Sequence, residues 1–300
     1  MTKLLLPSSL LVLAILIFIT ISRYSNFSYQ VITPKPAPQQ PKNFGEVIEK
    51  NTTADITKKQ TQFDFQSKLS QSLSINVPIL TYHYIGANPN PADKARNSLS
   101  VDPFQFEQEL EWLSQNGYQS ITLEDLYENL TSLKELPPKP IILTFDDGYI
   151  DFYYNAYPIL RKYNFSAVSF IPTGFVGRPG YMTWSMVEEI STRGGVEFES
   201  HGVNHKDLAS LSEQELVREL EDSKKVLEEK TGRPVDFLAY PYGGFNQRVV
   251  QIVRKTGYKS AVSTISGEKQ MGDELFALRR IRVPGMPTLV AFTARLRQAS

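Results

Sequence analysis

Pro140-Ile141-Ile142-Leu143-Thr144-Phe145-Asp146-Asp147-Gly148 sets an apolar run of strand character directly against two adjacent carboxylates. Like charges that close raise one another's pKa unless a cation or hydrogen-bond donors compensate. Placed at the end of a buried strand, the pair demands a partner from elsewhere in the chain. The aromatic-rich segment that follows reads as a helix over Phe152–Tyr163.

Outward from this stretch the pattern repeats. Strands are expected over Val77–Tyr84, Tyr118–Leu123, Ile141–Phe145, Phe165–Ile171, Val196–Ser200, Phe237–Tyr240, Tyr258–Ser263 and Leu278–Val283. Helices are expected over Asp102–Asn116, Glu124–Leu130, Ser185–Thr192, Gln247–Lys255 and Thr288–Arg297, and one opened by a Ser212/Glu215 capping box runs to Lys230. Repeated strand-helix alternation argues for a barrel of parallel strands wrapped by helices. A doubly wound open sheet is the alternative, but no glycine-rich phosphate loop follows the first strand.

The N-terminal quarter differs. Leu4 to Ile21 carries no charge and is 18 residues long, near the lower limit for crossing a bilayer. Lys3 and Arg23 flank it, and no small-x-small cleavage pattern follows, which favours an uncleaved anchor over a cleaved signal. Residues 1–22 are therefore expected to be a membrane anchor or signal, and 23–75 a low-complexity spacer containing Pro34-Lys35-Pro36-Ala37-Pro38-Gln39-Gln40-Pro41. Residues 76–300 form the working domain, expected outside the cytoplasmic membrane, or secreted if the segment is cleaved. Its 32 basic residues equal its 32 acidic ones over the whole chain, which disfavours a nucleic-acid partner. The chain has no cysteine, so disulfides and a lipoprotein attachment are excluded.

His83, Asp146, Asp147, His201 and Pro241-Tyr242 all fall at the C-terminal ends of expected strands, the face of such a barrel that carries chemistry. Of three histidines, two form His201-Gly202-Val203-Asn204-His205, a spacing that lets both imidazoles bind one metal. With Asp147 they make a two-histidine, one-carboxylate set suited to Zn²⁺, with Co²⁺ or Ni²⁺ as alternatives. A metal there would relieve the carboxylate repulsion. Asp146 stays free as the base that takes a proton from water, and His83 is the histidine left as acid for the leaving amine. Taken alone, His83 could equally be hydrogen-bonded into the rim.

The sequence Thr144-Phe145-Asp146-Asp147-Gly148, the later His201/His205 pair and the turn Tyr240-Pro241-Tyr242-Gly243 together resemble the polysaccharide deacetylase family with its NodB homology domain (carbohydrate esterase family 4). The resemblance covers about Val77 to Pro284. It implies a distorted (β/α)7 barrel and metal-dependent removal of N-acetyl groups from a sugar polymer. It also implies the roles above for Asp146, Asp147, His201 and His205, and an oxyanion-holding backbone amide at Tyr242. Ala239 stands where most of the family has an arginine, and no histidine follows His205. Both departures, with Tyr82-His83 and Leu278-Arg279-Arg280-Ile281-Arg282-Val283, resemble the biofilm-type subgroup acting on poly-β-1,6-N-acetylglucosamine. Arg280 is then either the replacement that orients the base or a surface ion pair. Trp184 resembles a groove aromatic of the family, and the core is its other reading; Tyr149, Tyr153 and Tyr154 are expected in packing. The implied substrate is that exopolysaccharide, with peptidoglycan or chitooligosaccharide as alternative and a non-catalytic carbohydrate-binding barrel as the remaining reading. An exopolysaccharide export system is the implied protein partner.

Overall fold

The computed structural model describes residues 73–285 and 288–298. The expected anchor and nearly all of the expected spacer lie outside the described residues. Among the described residues no helix is long and apolar enough to cross a membrane.

Seven parallel strands close on themselves. They are β2 (Ile79–Tyr82), β6 (Pro140–Phe145), β7 (Ala167–Ile171), β8 (Val196–Ser200), β9 (Phe237–Ala239), β10 (Ser260–Ser266) and β12 (Leu278–Arg282). β2 pairs with β6 on one side and β12 on the other, which completes the ring. This is a (β/α)7 barrel, and the open-sheet alternative is overturned by the β2–β6 pairing. A two-residue strand β5 (Gln119–Ser120) pairs with the first residues of β6, below the point where β7 begins to pair with it.

Alternation along the strands separates two cores. Ile79, Ile142, Val168, Phe170, Phe237, Ala239, Val262 and Leu278 pack together inside the barrel. Leu80, Tyr82, Leu143, Phe145, Phe198, Leu238 and Tyr240 face the helices instead. The period of two forces this division, since successive side chains leave a strand on opposite sides. Truncating Phe170, fully buried at the centre, would cost about 3–5 kcal/mol.

The helices are α1 (Lys94–Asn97), α2 (Pro103–Gln115), α3 (Leu123–Ser132), α4 (Tyr157–Tyr163), α5 (Trp184–Arg193), α6 (Glu213–Thr231), α7 (Gln247–Lys255) and α8 (Leu289–Gln298). Capping boxes open α3 (Thr122 with Asp125) and α6 (Ser212 with Glu215), and Gly232 ends α6 in a left-handed conformation. α3 has a special place: Leu123, Leu126 and Leu130 join the inner cluster and plug the barrel at the end where strands begin. The expected helix over Phe152–Tyr163 divides into a π-turn (Phe152–Ala156) and α4. Pro158 explains the change, because it lacks an N–H and its ring crowds the carbonyl four residues back, so the preceding turn widens.

Four further short strands carry no legible period. β3 (Tyr84–Ile85) pairs with β4 (Ser100–Val101), and β1 (Ser74–Asn76) pairs antiparallel with β11 (Lys269–Met271). Gln270 fastens the latter pair, donating to the carbonyls of Val77 and Arg279 and accepting from the Arg279 N–H.

Candidate active site

β6 delivers Asp146 and Asp147 to the rim at its C-terminal end. Asp147 adopts φ 74°, a left-handed backbone that turns its carboxylate away from that of Asp146. Gly148 follows at φ 69°, and a Cβ there would stand 3.3 Å from Ile171. β8 delivers His201, and the loop after it curls back through Gly202 (φ 73°) to place His205 (φ 51°) beside it. That loop is held from beneath by Glu219 of α6. One Glu219 oxygen accepts from the N–H groups of Val203 and Asn204 at 2.7 and 2.8 Å, and the other from the Asn204 side chain at 2.7 Å.

His201 and His205 bring their Nε2 atoms to 3.5 and 3.1 Å from Asp147 Oδ1. One ligand atom from each of the three residues lies within 4.8 Å of the others. Asp147 Oδ1 is buried and has no hydrogen-bond partner. Such an orphan is costly unless a cation sits against it. The Nδ1 of His201 lies 2.7 Å from the Ala239 carbonyl, which assigns the ring proton to Nδ1 and leaves Nε2 unprotonated toward Asp147. The donor set therefore fits a divalent cation. Burial pushes the Asp147 carboxyl up, but His201 and His205 outweigh it and hold it far below the carboxylate range. Burial likewise opposes protonation of His201, and Asp147 with Asp146 overcomes this and raises its pKa.

Asp146 is held differently. Arg280 of β12, only 4% exposed, grips it with two parallel bonds of 2.8 Å, Nη1 to Oδ1 and Nη2 to Oδ2. The guanidinium is fixed in turn by the Ser263 carbonyl (2.9 Å) and Thr144 Oγ1 (3.2 Å). Burial would raise the Asp146 carboxyl, but Arg280 chiefly, with His201 and His83, keeps it below the usual range and so ionised. Of the two readings of Arg280, the surface ion pair is excluded by this burial.

A cavity of about 590 Å³ opens over these groups, and His83, Asp146, Asp147, His201, His205, Tyr242 and Arg280 all line it. His83 is half-buried, and its desolvation there lowers its pKa against the pull of Asp146 and Asp147. Tyr242 sits in the turn Pro241–Gly243 at φ 58°, with Pro241 buried behind it and not on the cavity wall. Hydrogen bonds run from Gly243 N–H to the Tyr240 carbonyl and from Gly244 N–H to that of Pro241, and the Tyr242 amide takes no part in them. Trp184 is not brought to the cavity. It opens α5, packs half-buried on the outer core and has Lys230 5.8 Å over its ring, so its place is the helix layer. The aromatic wall is instead supplied by Tyr149, Tyr181 and Phe175. Tyr149 stacks on Tyr84 at 3.6 Å and contacts Tyr181 at 5.2 Å, so its expected packing role and a place on the wall coincide. Glu219 was beyond sequence reasoning, because it lies among Leu216, Leu220 and Leu227 on the buried face of α6 and its only signal is a charge on that face.

The polysaccharide deacetylase family model matches residues 133–261, which include the Asp146-Asp147 pair, both metal-facing histidines and Tyr242. The Bacillus subtilis (strain 168) protein YxkH, described at family level as a polysaccharide deacetylase, is 32% identical over 254 residues, 84% of this chain and 85% of its own length. The chain belongs to the polysaccharide deacetylase family. The family's enzymes are metal-dependent hydrolases of amide bonds, and the site described above has the parts for that reaction. The poly-β-1,6-N-acetyl-D-glucosamine N-deacetylase of Staphylococcus aureus (strain MSSA476) is 31% identical over 186 residues, 57% of this chain and 63% of that protein. The Streptococcus pyogenes deacetylase PplD in complex with acetate superposes with a TM-score of 0.69 at 33% identity, covering 76% of this chain and 99% of that one.

Proposed function

We propose that this deacetylase removes N-acetyl groups from a poly-β-1,6-N-acetylglucosamine-like exopolysaccharide, with Asp146 as base and His83 as acid. The observation that carries the reading is the buried Asp146–Arg280 fork beside the Asp147, His201 and His205 cluster. It supplies an oriented, ionised carboxylate where the family's usual arginine position is Ala239. The relatives in Staphylococcus aureus support the choice of polymer.

Asp147, His201 and His205 would hold the cation, for which Zn²⁺ is the proposed identity on the grounds of the donor set. Such an ion supplies polarisation of the acetamido carbonyl and a more acidic water. Each Asp146 oxygen gives one lone pair to Arg280 and keeps another, so the carboxylate can still accept a proton from water. Water's oxygen joins the acetyl carbon, the C–N bond breaks, and the amine leaves with one proton. Burial favours uncharged His83, so the proton it delivers is one taken up within the cycle, and Asp146 on the same cavity, once it has taken a proton from water, can supply it. The Tyr242 N–H, outside the turn's own hydrogen bonds, is the proposed donor to the developing oxyanion. Residues 1–22 are proposed as a single-pass anchor that keeps the enzyme outside the cytoplasmic membrane, near an exopolysaccharide export system.

Acetate release should be measured on β-1,6- and β-1,4-linked N-acetylglucosamine oligomers and on peptidoglycan fragments, with and without chelator. The expected result is release from the β-1,6 series, abolished by chelator and restored by Zn²⁺. Preferential turnover of peptidoglycan fragments would overturn the polymer assignment. In the same assay His83→Ala should lose about 100-fold or more in kcat with metal content unchanged; turnover at the parent rate would move the acid elsewhere.

A further inference from the structure

The carboxylate and guanidinium side chains that line the cavity are Asp146, Asp147, Arg280 and Arg282. Three of them are accounted for. Arg280 holds Asp146 in its fork, and Asp147 faces His201 and His205. Arg282 is the fourth. It stands two residues beyond Arg280 on β12, on the same face of the strand and about 7 Å further toward the rim. Its neighbours Arg279 and Arg280 each have a carboxylate of their own, Glu274 and Asp146. Arg282 has none within ion-pair distance among the described residues, yet its guanidinium is held in place. Nη2 donates to Ser98 Oγ at 3.1 Å and to the Ser98 carbonyl at 3.4 Å, in the short link between α1 and β4. Those acceptors are neutral and leave the charge uncancelled, and Nε and Nη1 have no acceptor among the described residues. A second guanidinium stands at the same corner: Arg295 of α8 donates through Nη1 to the Arg282 carbonyl at 3.1 Å. Both arginines are exposed. A cation fixed at the mouth of a reaction cavity, with donors left over, selects the sign of what enters.

We propose that Arg282 is a specificity-determining residue that receives an anionic substituent, a carboxylate or a phosphate ester, on the sugar polymer entering the cavity. This deepens the deacetylase reading and rests on it for the class of ligand. With the acetamido group over Asp146, the rise of β12 sets the anion at a distance that a substituent of the same or the adjoining sugar can span. Ser98 holds the guanidinium beforehand, so little side-chain freedom is lost when the anion arrives. The polymer preferred by this enzyme is then an acidic one, and the preference resides in binding.

The Zn²⁺-loaded full-length protein should be titrated with a β-1,6-linked pentamer of N-acetylglucosamine, with the same pentamer bearing carboxymethyl groups, and with the same pentamer bearing phosphate esters. The parent should bind at least one acidic pentamer about fivefold more tightly than the neutral one, an advantage that shrinks as salt is added. Which acidic pentamer gains identifies the anion. Arg282→Gln should bring the ratio of the two affinities to about one, and Arg282→Glu should invert it in favour of the neutral pentamer. A ratio taken within one protein does not depend on how much of a preparation is folded. If the contact with Ser98 were only structural, both variants would lose affinity for all three probes alike, and that result would overturn the proposal. So would a parent that prefers neither acidic pentamer, or a preference that survives Arg282→Glu. Acetate release should be followed in the same samples. A parent that prefers an acidic pentamer but releases acetate from none would count against the deacetylase reading and leave the role of Arg282 standing.

Discussion

Arg280 decides what Asp146 can do. A carboxylate buried to 4% exposure would by itself favour its protonated form, and the guanidinium fork reverses that preference. Arg280→Ala should therefore lower kcat about 100-fold and destabilise the fold by about 3 kcal/mol, less whatever is recovered as Asp146 takes up a proton. Arg280→Lys should recover stability more than rate, because an ammonium cannot form two parallel bonds. Acetate release and thermal unfolding of the two variants measure both, and a parent-like kcat in Arg280→Ala would sink the orienting role. Proton competition acts on the neighbouring cluster with a defined sign. An imidazole nitrogen must be unprotonated to hold a cation, so lower pH favours the proton over the cation. At this scale the sequence revealed the residue types but not their directions. Strand ends located Asp146, Asp147 and His201, whereas Trp184, which resemblance put in a groove, lies at the start of α5 and outside the cavity.

The loop from His201 to His205 is only as firm as the helix beneath it. Glu219 of α6 gathers three of the loop's donors, so it fixes the spacing of the two imidazoles without touching the cluster itself. Glu219→Ala should weaken metal affinity about 10–100-fold while leaving all three ligand residues in place. Calorimetric titration with Zn²⁺ would show it, and an unchanged affinity would mean the loop holds its own shape. Elements with a clear period were legible in advance. α7 occupies the expected Gln247–Lys255, and the Ser212/Glu215 box opens α6 as its residues imply. The pairs β1–β11 and β3–β4 were not, because two or three residues cannot display a period. The π-turn before α4 escaped too, since an interior proline announces a break in a helix without saying what form the preceding turn takes.

Over the whole molecule, buried acids set the dependence of stability on pH. Burial raises Glu109, which accepts a hydrogen bond from Tyr82, from the ordinary 4.5 to about 7, and Glu197 moves the same way to about 7. A raised folded-state pKa gives a contribution that is full below about 4.5 and lost as pH rises through about 7. The protein should therefore unfold at a higher temperature at pH 5.5 than at pH 8, until Asp146 and Asp147, held low, begin to protonate below the carboxylate range. Glu109→Gln should flatten this slope by on the order of 2 kcal/mol, read from denaturant titrations at the two pH values; an unchanged slope would place the effect elsewhere. The barrel itself was expected from alternation, but its closure was not legible, because a ring and an open sheet share one pattern until pairing is seen. That closure has a bearing on biosynthesis. β2, the first barrel strand made, waits for β12, the last of the seven, and β12 also carries Arg280. A nascent chain ending before Leu278 would already hold both aspartates and all three histidines, yet have neither a closed barrel nor an oriented base. Synthesis of the full chain is in this sense the enzyme's own proofreading: hydrolytic competence arrives only with the strand that completes the fold.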